Sequence, residues 1–155
     1  MSLVDLLKKQ ALQDDEMLSL NALLMQAVGE GNYGLYELAC DKKLSCFEPE
    51  AKGHLVTGLN FHKYYFDLKE QMTKGKKRKA SDSVDEEETA SKLTTQSTMS
   101  SPNITWLCQR QAAIVCFKRL VQSGTNTVAT EETRVWEFSS DLKQWKMMHF
   151  HRSSG

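Results

Sequence analysis

Hydrophobic positions in "DDEMLSLNALLMQAVGEGN" fall at Met17, Leu20, Leu23, Leu24 and Val28, the spacing of one helix face. Asp14 or Asp15 is placed to cap this helix, and "GEGN" supplies glycine to end it. Upstream, "MSLVDLLKKQALQDDEM" is also amphipathic, and "YGLYELAC" downstream reads as a short second helix. "KLSCFEPEAKGHLVTG" predicts two short strands around a proline-containing turn. "LNFHKYYFDLKEQM" then predicts an aromatic-rich helix with Leu59, His62, Tyr65 and Phe66 on one face.

The period changes to two in the last third of the chain. "NITWLCQRQAAIVCFKRLVQ" reads as two strands turning at Gln109 to Gln111, followed by "TVATEETRVWEFS" and "DLKQWKMMHFHR". Turns at "SGTN" and "SSD" join the later strands as antiparallel neighbours. Helices followed by a run of antiparallel strands give an α+β class, with helices packed on one face of a sheet. Between the halves, Thr73 to Pro102 carries a basic cluster, an acidic cluster and then serine and threonine. With few large apolar residues it cannot offset the entropy of ordering, and is expected to be a disordered insertion.

Composition narrows the classes. The chain has 155 residues and a formal net charge of zero, so no overall field argues for nucleic acid or an anionic membrane. No apolar run reaches membrane-spanning length, and the N-terminus lacks a signal-peptide core. Cys40, Cys46, Cys108 and Cys116 show no CxxC spacing, which fits free thiols in a reducing, cytoplasmic setting. The "KKRK" tract at Lys76–Lys79 matches a nuclear address, but a solvated linker is the preferred reading.

Strand parity brings out the candidate chemistry. Arg119 shares a face with Ala113, Val115 and Phe117; Arg134 with Trp136 and Phe138; Arg152 with Met148 and Phe150. A single such arginine would snorkel or pair, but three on adjacent strands need fixed carboxylates or an outside anion. Glu48, Glu50, Glu131 and Glu132 are available, with only Glu132 sharing the parity of Arg134. The arginines are therefore expected to exceed their acids and to form a pocket for a small carboxylate. On that reading Arg134→Gln relieves repulsion and raises stability without ligand. His62 faces the same sheet.

"CFEPEAKGHLVTGLNFHKYYF", "CFKRLVQ", "EETRVWEF" and "WKMMHFHRSSG" closely resemble the association (hub) domain of calcium/calmodulin-dependent protein kinase II, from about Asp15 onward. The resemblance implies a nuclear-transport-factor-2-like, cystatin-like cone: a long N-terminal helix wrapped by a strongly curved antiparallel sheet. It further implies dimers assembled into a dodecameric or tetradecameric ring, and a deep pocket for small carboxylates such as gamma-hydroxybutyrate analogues. The family's pocket residues fall on His62, Arg119, Arg134 and Arg152, with Tyr36 lining the same cavity. Lys63 and Glu70 depart from the family's usual arginine and tryptophan, and the insertion replaces a short link, so ligand preference is open.

The domain layout is then an extension at 1–13 and a hub domain at 14–155, interrupted at 73–102. The expected function is a non-catalytic hub that forms a ring and organises kinase subunits, whether the chain is an excised fragment or a stand-alone hub. No kinase phosphate loop or catalytic loop is present in the sequence. Neither cofactor nor metal is expected. The alternative is a pocket enzyme of isomerase or dehydratase type, disfavoured because no pocket acid is obvious. Partners are other copies, hub domains of kinase subunits and a small carboxylate, without membrane or nucleic acid.

Overall fold

The computed structural model describes residues 1–79 and 95–154. Three helices lead: α1 (Leu3–Lys8), α2 (Asp14–Gly29) and α3 (Tyr33–Ala39). Strand β1 (Cys40–Phe47), a turn at Pro49–Ala51 and the two-residue β2 (Val56–Thr57) follow, then α4 (Asn60–Lys79). Four long strands complete the chain: β3 (Gln96–Leu107), β4 (Ala112–Ser123), β5 (Asn126–Ser139) and β6 (Gln144–Arg152).

They form one six-stranded sheet in the order β2-β1-β6-β5-β4-β3. Every pairing is antiparallel except β1 with β6, which is parallel and qualifies the all-antiparallel expectation. Irregularities in register interrupt β3 between Ser100 and Asn103, and β5 against β6 at Val135–Trp136. Such bulges bend a strand and increase local twist, which curls the sheet toward the helices. The second bulge also changes parity. Met147, not Met148, is buried with Phe150, because Trp136 pairs Met147 while Val135 pairs His149.

Two expectations about segment ends need correction. Gln13, rather than an aspartate, holds the N-cap of α2, where its backbone N–H donates to the Glu16 carboxylate at 2.9 Å. The segment expected to be structureless is ordered at both edges: α4 continues through Thr73 to Lys79, and β3 starts at Gln96. Lysines add little helix penalty, so a periodic helix propagates past the point where its apolar stripe ends. The rest of that segment lies outside the described residues.

The N-terminal extension belongs to the core. Leu3, Leu6, Leu7 and Leu12 are buried, a capping box between Ser2 and Asp5 starts α1, and Trp145 donates its Nε1–H to the Lys9 carbonyl at 2.9 Å. The α2 stripe packs Met17, Leu20, Leu24 and Met25 into the same cluster as Val115, Trp136 and Phe138. Asn21 is fully buried in this stripe. Its side chain donates to the Met17 carbonyl and accepts from Trp136 Nε1 (3.1 Å) and Arg134 Nη1 (3.3 Å).

Candidate functional site

The inward parity of β4, β5 and β6 carries the apolar core at one end of the sheet and the three arginines at the other. Arg119, Arg134 and Arg152 line one cavity of about 200 Å³, together with His62 from the first turn of α4 and Tyr36 from α3. All five residues expected at the site therefore meet. Phe66, Phe150 and Leu24 supply apolar wall. Tyr36 packs its ring against Phe66 and His62, at centroid distances of 5.2 and 5.5 Å.

Three glutamates enter the same cavity: Glu48 and Glu50, which follow β1, and Glu132 on β5. This overturns the expected excess of arginine. Arg134 is 4% exposed and donates from Nε to Glu132 at 2.7 Å, and from Nη1 to the Asn21 carbonyl at 3.2 Å. Arg152 donates to both oxygens of Glu50, at 2.9 and 2.7 Å, and reaches Glu48 at 3.4 Å. Arg119 is the loosest: its Nη1 stands 3.9 Å from Glu132 and its Nε has no partner among the described residues. Thr130 Oγ1 and Glu132 Oε2, the oxygen that Arg119 approaches, are likewise buried without hydrogen-bond partners among the described residues. The physical reason is that a buried cation is tolerable only beside a countercharge, and the chain provides its own.

The protonation pattern follows from burial. Desolvation depresses Arg119, and the nearby arginines add to the effect against the pull of Glu132. Burial would lower Arg152, but hydrogen bonds and charge from Glu50 outweigh it and raise the group. Glu50 feels the reciprocal effect: burial raises its carboxyl, Arg152 brings it below the ordinary value. Burial and the neighbouring Glu50 push Glu48 upward. Burial also drives His62 down to about 4, so its imidazole is neutral at neutral pH. The Tyr36 phenol is pushed well upward by burial and stays protonated.

The reading that no pocket acid exists is thus corrected, since Glu48 is such an acid, 3.7 Å from His62. Asn21 was missed altogether, although an asparagine inside an apolar helical stripe is a readable signal of a buried polar partner. Cys46 was expected only as a free thiol. It lies on the inward face of β1, with its sulfur 3.6 Å from His62 Nε2 and 3.8 Å from Glu48.

The family model of the calcium/calmodulin dependent protein kinase II association domain matches residues 13–155. The calcium/calmodulin-dependent protein kinase type II alpha chain of Drosophila melanogaster is 33% identical over an alignment of 144 residues that covers 90% of this chain and 23% of that protein. The chain thus spans less than a quarter of the curated relatives it matches. The kinase II hub homology domain of Chlamydomonas reinhardtii superposes with a TM-score of 0.70 at 39% identity, covering 91% of this chain and 96% of that one. A nuclear-transport-factor-2-like protein of Pseudomonas putida shares the fold alone, with a TM-score of 0.62 at 11% identity over 92% of this chain and 86% of that one. On these grounds the chain belongs to the calcium/calmodulin-dependent protein kinase II association-domain family.

Proposed function

We propose that the chain is a non-catalytic oligomerisation hub that pairs, closes into a dodecameric or tetradecameric ring and organises kinase subunits through their own hub domains. The observation that carries this is the association-domain match over residues 13–155, supported by the superposition on a hub homology domain. Native mass spectrometry at micromolar concentration tests it. A ring mass is expected, and a monomer overturns the reading. Among the described residues no helix is long and apolar enough to cross a membrane.

The cavity is proposed to take a small carboxylate through Arg119. That arginine is supported as the entry point by its unpartnered Nε and its long approach to Glu132. An incoming carboxylate exchanges water for a bidentate guanidinium contact and shifts the melting temperature by mass action. Gamma-hydroxybutyrate at about 100 times its Kd is expected to stabilise the protein by roughly 2.7 kcal/mol. Arg119→Gln removes that gain. No shift at any concentration would refute the pocket but leave the ring intact.

A pocket enzyme is the second reading, favoured by the raised Glu48 beside neutral His62 and Tyr36. Proton exchange at a carbon next to a carbonyl, lost in Glu48→Gln, would establish it. Without such exchange it is dismissed.

A further inference from the structure

We propose that Cys46, Glu48 and His62 form a binding site for a divalent transition metal, zinc by preference, at the floor of the cavity. Among the described residues these three alone bring sulfur, carboxylate and imidazole donors within 4.8 Å of one another. The local sequence explains the convergence. Cys46 ends the inward row of β1 and Glu48, two positions on, continues it on extended backbone just past the strand, while Phe47 turns outward onto His151. The first turn of α4 lowers His62 onto them.

The donor spacing approaches that of a tetrahedral ion. Zinc bonds of 2.0–2.3 Å give ligand-to-ligand edges of roughly 3.3–3.6 Å. Here Cys46 Sγ lies 3.6 Å from His62 Nε2 and 3.8 Å from Glu48 Oε1, while His62 Nδ1 lies 3.7 Å from Glu48 Oε1. The two approaches use different imidazole nitrogens; one atom from each residue still lies within 4.8 Å of the others. Ion binding requires the ring to turn so that a single nitrogen faces both partners. Arg152 holds the other Glu48 oxygen at 3.4 Å, the kind of outer contact that orients a ligating carboxylate. Thiolate and carboxylate together balance the charge of the ion. With Glu48 committed to the ion, Glu132 and Glu50 still pair Arg134 and Arg152. Arg119 keeps its 3.9 Å approach to Glu132 as the free positive charge of the cavity among the described residues. Glu48 and His62 line the cavity and Cys46 lies behind them, so the fourth position opens toward the cavity and takes water.

A thiol at this position works better as a ligand than as a nucleophile. Cys46 is fully buried and does not reach the cavity wall. On binding, the metal–sulfur bond replaces the S–H bond and the proton leaves to solvent.

The test uses the full chain and cobalt(II) as a spectroscopic substitute, with zinc content measured after dialysis. Wild type is expected to retain one ion per chain, release about one proton per ion, and show a thiolate-to-cobalt charge-transfer band with the intense visible bands of a four-coordinate ion. Cys46→Ser should lose the charge-transfer band and bind roughly 100-fold more weakly or worse. Glu48→Gln should weaken binding while keeping that band, and Cys108→Ser, altering the exposed thiol, should change neither. Metal-free melting curves establish that each variant folds. Failure of wild type to retain an ion, or an unchanged spectrum in folded Cys46→Ser, overturns the proposal. Neither result bears on ring assembly, which is measured separately.

Discussion

The two ends of the sheet's inner face contrast sharply, although one strand serves both. On β5, Trp136 and Arg134 are two residues apart, equally buried, and both donate to Asn21. Toward Trp136 the surroundings are leucine, methionine and Trp145, dry and with the indole nitrogens satisfied. Toward Arg134 they are glutamate, histidine and a cavity, with three buried polar atoms lacking hydrogen-bond partners among the described residues. Packing stabilises the first end because apolar surface leaves water there. The second end persists because its charges cancel, and it retains unsatisfied groups that a guest can use. Alternation decides which residues face inward; countercharge decides which of them can stay.

The largest expected effect breaks the charged end. Arg134→Gln removes the partner of buried Glu132 and should cost about 3–5 kcal/mol in urea unfolding. This reverses the gain expected from arginine repulsion, and a variant more stable than wild type would restore that older view. At the dry end, Leu20→Ala should cost about 3 kcal/mol, by lost transfer energy and a residual cavity. If that variant also abolished the carboxylate-induced shift, the two ends would not be separable.

A pH series sharpens the comparison. His62 has its imidazole lowered from 6.5 to about 4, so between those values the folded state binds fewer protons than the unfolded chain. Stability therefore falls as pH drops through that window. Glu48 is shifted upward, keeps its proton longer when folded, and loses its contribution as pH rises. His62→Gln isolates the first term and should flatten the acid limb by about 2 kcal/mol between pH 7 and 4.5. Urea midpoints across that range measure it. An unchanged acid limb would show that His62 reaches solvent. The smallest effect lies at the periphery. Ser2→Ala removes the α1 cap and should cost about 1 kcal/mol, with the carboxylate response unaltered.

Much of this was legible before any coordinates. The α2 stripe, the inward parity of Arg119, Arg134 and Arg152, and the sheet-facing side of His62 follow from local periods that a chain cannot easily escape, whereas Tyr36 was reached through the family resemblance. The ends of the 73–102 segment were misjudged because helix and strand propagate from their ordered neighbours into sequence that would not nucleate them alone. Met148 was placed on the wrong face because a bulge depends on the partner strand. Burial of the N-terminal leucines depends on what they find to pack against.

Away from the bulge that misplaced Met148, the sequence by itself settled which side chains point inward, since backbone periodicity is a property of a few consecutive residues. Only the tertiary structure settled the electrical balance of the cavity. Glu48 and Glu50 lie more than a hundred residues from Arg152, and Asn21 lies equally far from Arg134. Coulomb interactions act through space, so their sum is fixed only once distant segments have been brought to the same hollow.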